Sequence, residues 1–193
     1  MAGRLRAGDE VPRRDLAVMA GGTVTVPDAE RPVHLQFRRF AGCPVCNMHL
    51  RSVVTRHAEI EAAGVREVVV FHSPEAELRP HVAGLPFAVV ADPGKRLYRE
   101  FGVESAPRAL LDPRAWGPIL RALGQALVAL VRERRPGPAA RPHGGRLGLP
   151  ADFLIAPDGK VLAAKYGEHV YDQWPVDTVL SLARRARRES RRG

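Results

Sequence analysis

From Val33 the chain alternates apolar and polar positions, with Val33, Leu35 and Phe37 set against His34, Gln36 and Arg38. A period of two predicts a strand with one polar face. At Asn47 the period lengthens: Leu50, Val53, Val54 and Ile60 recur at helical spacing, and Gly64 supplies a C-terminal stop. The run E-V-V-V-F-H from Glu67 to His72 is β-branched and continuously apolar at its centre, as a parallel strand covered on both sides requires. Strand, helix and strand in that order predict a right-handed crossover.

Further along, F-A-V-V-A at 87–91 reads as another buried strand, and Leu97, Tyr98 and Phe101 as the inward face of a helix that Gly102 ends. Ser73-Pro74, Asp92-Pro93 and Asp112-Pro113 repeat one signal, an N-cap followed by proline at the first helical position. The first of them predicts a helix over Glu75 to Val82. From Pro113, the residues Trp116, Ile119, Leu120, Leu123, Leu127, Leu130 and Val131 follow helical spacing over about four to five turns. We read this helix as packed inward on the core, with a membrane-surface or dimer helix as the alternatives.

Residues 135–148 hold seven Pro or Gly in fourteen positions, which predicts a mobile loop. D-F-L-I-A at 152–156, P-D-G at 157–159 and V-L-A-A-K-Y at 161–166 predict a hairpin. A last helix follows Pro175, with Val176, Val179, Leu180 and Ala183 inward. Near the start, T-V-T-V at 23–26, after Gly21 and Gly22, predicts a small edge hairpin. Together these elements predict one α/β domain over residues 1–185, a central mixed sheet flanked by helices. It carries an N-terminal hairpin extension, an inserted helix plus loop at about 104–148 and a basic tail at 186–193.

Composition sharpens this in two places. A chain of 193 residues with 45% apolar content suits one soluble domain. The N-terminus lacks the apolar run of a secretory signal, and nowhere do ~18 apolar residues follow one another. We therefore expect a cytoplasmic protein with no transmembrane segment. The formal charge is +9, yet from Arg184 the chain reads R-R-A-R-R-E-S-R-R-G, six arginines and one glutamate. The excess is thus expected in a solvated, frayed tail. Nonenzymatic binding of that tail to nucleic acid or an acidic membrane surface is a reading from another class, and nucleic acid is the less expected partner.

The candidate chemistry lies in F-A-G-C-P-V-C-N-M-H-L, residues 40–50, which hold both cysteines, Cys43 and Cys46. A pair three apart at a strand-to-helix seam is a redox motif. Zinc would need two further ligands, and His49 and His57 are eight apart with no second pair following. Free N–H groups and the macrodipole at a helix N-terminus favour a thiolate. Cys43, expected to be the more exposed, is thus the nucleophile, and Cys46, one turn inside, the resolving cysteine. Pro44 stiffens the turn where its missing donor is tolerated. No Asp or Glu lies between Glu30 and Glu59 to deprotonate Cys46. His49 is either a substitute base or an ordinary half-exposed histidine. Arg38 and Arg39 either add positive potential at the site or solvate the strand face.

The element order, with C-P-V-C at the first strand–helix junction and L-P-A-D-F-L-I opening the hairpin, resembles the thioredoxin fold. A-G-D-E-V-P-R-R-D-L, D-P-G-K-R-L-Y-R-E-F-G-V, the apolar helix inserted after it and P-D-G-K-V-L-A-A-K-Y-G are similar to the peroxiredoxin-like branch of the AhpC/TSA superfamily. The resemblance covers nearly all of residues 8–185. It implies a thiol oxidoreductase without a cofactor, acting on a disulfide or a peroxide and regenerated by a thiol donor such as a thioredoxin-type system; a homodimer is compatible with it. It also implies a cis Pro150 lying against the cysteines, with Leu149 offering its backbone to a substrate disulfide. A trans proline at a strand edge is the alternative. Ordinary peroxiredoxins carry P-x-x-x-T-x-x-C, in which the threonine and a later arginine hold the peroxide. If that cysteine corresponds to Cys46, the threonine position is Cys43, the proline position Arg39 and the later arginine Pro150. These departures point toward disulfide chemistry.

Overall fold

A computed structural model describes residues 3–106, 108–133 and 141–190. Its elements run β1 (Arg14–Ala17), β2 (Thr23–Val26), β3 (Val33–Arg38), α1 (Pro44–Thr55), α2 (His57–Ala62), β4 (Arg66–Phe71), α3 (Glu75–Val82), β5 (Ala88–Ala91), α4 (Arg96–Glu100), α5 (Arg108–Leu111), α6 (Pro113–Glu133), β6 (Ala151–Ile155), β7 (Val161–Tyr166) and α7 (Val176–Ser190). Strands β1 and β2 form a separate antiparallel hairpin, and the main sheet has the order β5-β4-β3-β6-β7. β3, β4 and β5 are parallel, while β6 runs antiparallel to both β3 and β7. This is the thioredoxin-like mixed sheet expected from the sequence, with the N-terminal hairpin and the inserted α6 in place.

Strand β3 sits at the centre and is covered on both faces. Val33, Leu35 and Phe37 meet Leu97, Tyr98, Phe101 and Phe153 in the largest apolar cluster. Burial of each such side chain contributes about 1.5–3 kcal/mol. His34, Gln36 and Arg38 are buried as well, on the opposite face, which corrects the expectation of a solvated strand face. Arg38 reaches His49 on α1, and His34 stacks on Trp174 just before α7. Those helices exclude water, so the polar side chains between them must satisfy one another. Glu67 of β4 lies 2.9 Å from His34 Nδ1 and accepts from Gln36, while Asp152 of β6 accepts from Arg38 Nη2 at 2.7 Å.

The helix-start signals act in three different ways. α3 spans the expected residues, but Ser73 does not cap it: its Oγ accepts from the Ala41 N–H at 3.0 Å, and Pro74 is the N-cap. Asp92 works across a turn, its carboxylate accepting from the N–H groups of Arg96 and Leu97 at 3.0 and 2.8 Å. At Asp112-Pro113 the reading holds, with Pro113 opening α6 and Asp112 accepting from the Arg114 N–H at 2.9 Å. The helix predicted to run to Gly64 is divided at Arg56 into α1 and α2, and Val54 is exposed.

Two larger expectations change. The inner face of α6 is made of Ala115, Ile119 and Ala122, whereas Trp116, Leu120, Leu123 and Leu127 are 52–70% exposed. Small side chains let α6 lie close to α1, and that approach turns the leucine-rich stripe aside to solvent. The side chains of Leu130 and Val131 lie outside the described residues. The basic run read as a frayed tail is helical to Ser190, because α7 continues through it from its packed face of Val176, Val179, Leu180 and Ala183. Residues 191–193, like the 134–140 part of the predicted loop, lie outside the described residues. Among those described, no helix is long and apolar enough to cross a membrane.

Candidate active site

Beyond β3 the chain turns through Gly42, whose φ of 70° favours glycine, and enters α1 with Pro44 at its first positions. Cys43 is the N-cap, its Sγ accepting from the Cys46 N–H at 3.4 Å. Both cysteines are unbonded and buried. Cys43 is fully enclosed, at 0% exposure, which corrects the expectation of an exposed nucleophile. Phe40, Val45, Leu149 and the alanines of α6 share its cluster, so the inserted helix supplies part of the enclosure.

Arg39 reaches this thiol directly. Its Nη1 lies 3.5 Å from Cys43 Sγ, its Nη2 donates to the Arg146 carbonyl, and its guanidinium stands 5.1 Å from the centre of the Phe40 ring. Of the two arginines at the end of β3, Arg39 thus serves the cysteine and Arg38 the polar layer behind it; neither solvates a strand face. Burial by itself would push the Cys43 thiol up. Hydrogen bonding to the Cys46 side chain, the Arg39 cation and the N–H groups of Cys46 and Val45 outweigh it and bring the thiol down to about 6. Cys46 moves the other way, pushed well above the usual thiol range by burial and by the adjoining Cys43. Near neutral pH the pair is one thiolate and one thiol, the state from which thiol–disulfide exchange begins.

His49 does not turn toward Cys46. It is buried with Nε2 3.2 Å from Arg38 Nη2, and burial followed by that cation lowers it to about 3. It is a neutral acceptor in the polar layer, neither half-exposed nor placed as a base. In the same layer burial would lower His34, but Glu67 and Asp152 raise it to about 9. Burial would raise Asp152, but Arg38 and His34 hold it well below the usual carboxylate range.

A strap of residues 141–150 closes over the site, touching Arg39, His72 and the cysteine cluster. Lys95 Nζ donates to the Gly144 carbonyl at 2.8 Å, Ala106 N–H to Leu147 O at 2.9 Å and Leu149 N–H to Glu104 O at 3.0 Å. The described part of the predicted loop is therefore tied down along its length. It rests on His72, the residue after β4, whose backbone N–H bonds to Arg39 O at 3.2 Å and whose Nδ1 lies 3.1 Å from His143 O. His72 Nε2 is buried without a partner among the described residues, and burial followed by Lys95 lowers the ring to about 4. A Cβ on Gly144 would stand 2.6 Å from His72 Nδ1, so the strap backbone lies directly on the ring.

Leu149 lies in the cysteine cluster as expected, but its N–H is already bonded to Glu104. The Leu149–Pro150 bond is trans; among the described residues the cis X-Pro bond is Val26–Pro27. Pro150 is instead packed under Gly167, whose N–H donates to its carbonyl at 2.9 Å. The strap delivers the chain to β6 already extended beside Glu104, the geometry of a proline at a strand edge. A groove of about 790 Å³ starts at Ala41, Gly42 and Pro44 and runs between Met48, Leu78 and Leu123.

Sequence reading missed His72, Asp152 and the strap. His72 had a signal, since it ends a parallel strand beside the first strand–helix junction, where sites of open α/β sheets gather. Asp152 had a weaker one, its place on the strand antiparallel to the His34 and Arg38 face.

The AhpC/TSA family model matches residues 7–164. The chain belongs to the AhpC/TSA family. It is thereby a member of the peroxiredoxin and thiol–disulfide oxidoreductase superfamily. Among solved structures this AhpC/TSA protein is similar to peroxidoxin BcpB from Mycobacterium tuberculosis, with 17% identity, TM-score 0.66 and coverage of 94% of this chain and 97% of that one. It is also similar to a 2-Cys peroxiredoxin from Plasmodium vivax, reduced form, with 12% identity, TM-score 0.67 and coverage of 97% and 84%. A candidate thiol:disulfide interchange protein, DsbE, from Chlorobium tepidum gives 21% identity, TM-score 0.59 and coverage of 93% and 98%. These likenesses carry the fold. A search of curated proteins finds no match.

Proposed function

We propose that this AhpC/TSA protein is a thiol–disulfide oxidoreductase in which Cys43 attacks and Cys46 resolves. The observation that carries the reading is the opposite displacement of two adjoining buried thiols, with Arg39 Nη1 3.5 Å from the lower one. The Cys43 thiolate attacks one sulfur of a substrate disulfide, an Sγ–S bond forms, and the second substrate sulfur leaves as a thiolate and takes up a proton. Cys46 then loses its proton and attacks Cys43 Sγ, expelling the first substrate sulfur. The substrate is reduced by two electrons and the protein holds a Cys43–Cys46 disulfide. A thiol donor of the thioredoxin type returns it to the dithiol by the reverse exchange. Pro44, at the first helical position, stiffens the turn that keeps the two sulfurs together.

Thiolate absorbance against pH, combined with reduction of a chromogenic aromatic disulfide, tests this. We expect a transition near pH 6 that is lost in Cys43→Ser and retained in Cys46→Ser, with Cys46→Ser trapped as a mixed disulfide. A Cys43 thiol titrating near the free value of ~8.5, together with no disulfide reduction, overturns the reading.

The enclosure of Cys43 favours a second reading, reduction of a hydroperoxide, which is smaller than a protein disulfide. The thiolate would attack the terminal peroxide oxygen and break the O–O bond, and the alcohol or water would leave with a proton. Cys46 would condense with the sulfenic acid to give the same disulfide and water. Arg39 offers this chemistry a guanidinium from the position where ordinary peroxiredoxins carry proline. Stopped-flow rates with hydrogen peroxide and an organic hydroperoxide that match a free thiol, and that do not change in the two serine variants, exclude it.

A further inference from the structure

We propose that residues 143–148 of the strap form a lid over Cys43 and that His72 is its acid-sensitive latch, so that a proton taken up at Nε2 opens the lid and admits substrate to the thiol. The inference rests on the reading of Cys43 as the attacking cysteine, because a sulfur with 0% exposure has to be uncovered before a disulfide can reach it. Residues 143–147 are exposed, so little apolar surface holds them down. What holds them is a short set of polar contacts: His143 O with His72 Nδ1, Gly144 O with Lys95 Nζ, Arg146 O with Arg39 Nη2 and Leu147 O with the Ala106 N–H. A segment with few buried apolar contacts is drawn from the low-stability end of a fold and opens locally. It is coupled to the thiol at two points, through Leu149 in the cysteine cluster and through Arg39, so lifting it uncovers Cys43.

The tautomer of His72 follows from its partner. A carbonyl only accepts, so Nδ1 carries the proton toward His143 O and Nε2 is left as a bare acceptor. That atom is buried without a partner among the described residues, and it faces the lid, since a Cβ on Gly148 would stand 3.1 Å from it. A second proton would place a cationic N–H beneath the lid with no acceptor at hydrogen-bond distance. The surrounding charges oppose it as well. Lys95, before α4, and Arg39, after β3, are both cations that favour the neutral ring. Tyr98 of α4 meets the ring edge-on at 5.7 Å with its hydroxyl directed to Arg38 O and Val70 O. Asp92, after β5, gives its carboxylate to the Arg96 and Leu97 N–H groups, and the His143 ring lies with Nε2 3.1 Å from Pro93 O.

With the lid shut, burial and then Lys95 lower the ring from 6.5 to about 4. With the lid open the ring is hydrated and regains its ordinary value. The closed state is therefore favoured in full above pH 6.5 and loses about tenfold per pH unit as pH falls toward 4. Cys43 responds in the opposite sense: it titrates near 6, so its thiolate declines over the same range. The two effects offset each other. Opening of the lid keeps the thiol reactive in mild acid, where the thiolate fraction alone would cost about tenfold per pH unit.

Hydrogen exchange of the full chain between about pH 7 and 5, corrected for intrinsic rates and run in a Cys43→Ser/Cys46→Ser background, tests the lid apart from the thiol chemistry. The Ala106 and Leu149 amides, bonded to Leu147 O and Glu104 O, should lose protection about tenfold per pH unit below 6.5, with the amides of β3 and β4 unchanged. His72→Asn keeps a donor for His143 O and cannot titrate, so its protection should not depend on pH. Lys95→Met retains the ring and removes a cation beside it, so its profile should level off at a higher pH than that of wild type. In the native chain, iodoacetamide should alkylate Cys43 at a near-constant rate from about pH 6 to about 4.5, whereas in His72→Asn the rate should fall about tenfold per pH unit. Protection independent of pH in wild type overturns the inference, as does a His72→Asn profile with the wild-type slope or a loss of protection in β3 and β4 over the same range. Should His72→Asn not fold, a Lys95→Met profile that superposes on wild type overturns it. A lid that opens in acid over a Cys43 that reduces no disulfide leaves the lid standing and removes only the reading of the cysteines.

Discussion

Arg39 joins Cys43 to the strap: Nη1 stands 3.5 Å from the Cys43 sulfur while Nη2 donates to the carbonyl of Arg146. One guanidinium thus supplies positive charge to the thiol and anchors the segment that encloses it. Accessibility and acidity of the cysteine share a residue, and substitutions elsewhere can separate the two.

Arg39→Met removes the cation and keeps much of the apolar stem. The Cys43 pKa should rise by on the order of one unit, read from thiolate absorbance, and alkylation below pH 7 should slow accordingly. Arg39→Lys retains charge but not the two-handed geometry, so its pKa should lie between those of Met and wild type.

Gly144→Ala tests the strap without touching the cysteine. Gly144 has φ +72° and its new Cβ would meet the His72 ring at 2.6 Å, whereas Gly145, at φ +81°, has nothing within 4 Å. Both substitutions incur about 1–2 kcal/mol of backbone strain, but the first should also lift the strap. Alkylation of Cys43 should become several-fold faster in Gly144→Ala than in Gly145→Ala, at an unchanged thiol pKa.

Asp152 accepts from Arg38 at 2.7 Å and from the Trp174 N–H at 3.1 Å, and its other neighbour is His34 at 3.3 Å. Asp152→Asn leaves Arg38 buried with its charge uncompensated. Equilibrium urea denaturation should show a loss of about 3–5 kcal/mol, with the Cys43 titration still present in the folded variant.

His34 and Cys43 give stability opposite pH dependences. His34 is raised from 6.5 to about 9, so its contribution is complete below pH 6.5 and is lost as pH climbs through about 9. Cys43 is lowered to about 6, so its contribution appears as pH rises above that value. In a Cys43→Ser background stability should therefore fall between pH 6.5 and 9, by up to roughly 3 kcal/mol. Adding His34→Gln should flatten the profile over that window.

The sequence by itself determined the order and type of most elements and the place of the cysteines. Local periodicity, β-branched runs and glycine stops act within a few residues of themselves, so β3 through β5 and the β6–β7 hairpin are legible without knowledge of what surrounds them. The C-P-V-C spacing at a strand–helix seam belongs to the same kind of information. Only the tertiary structure decided which faces meet water. Period two showed that His34, Gln36 and Arg38 share a face, but not that α1 and α7 seal it. Nor did it show that carboxylates from β4 and β6, far along the chain, would pair with them. Helical spacing counted Trp116, Ile119 and the leucines of α6 as one inward face, and contact with α1 chose Ile119 together with Ala115 and Ala122 for the core and left Trp116 and the leucines outside. The enclosure of Cys43, the trans Pro150 and the covering of the His72 ring likewise follow from the strap, whose bonds to Lys95, Glu104 and Ala106 join segments about forty to fifty residues apart. Burial and charge pairing depend on what lies opposite in space, and no pattern along one segment carries that information.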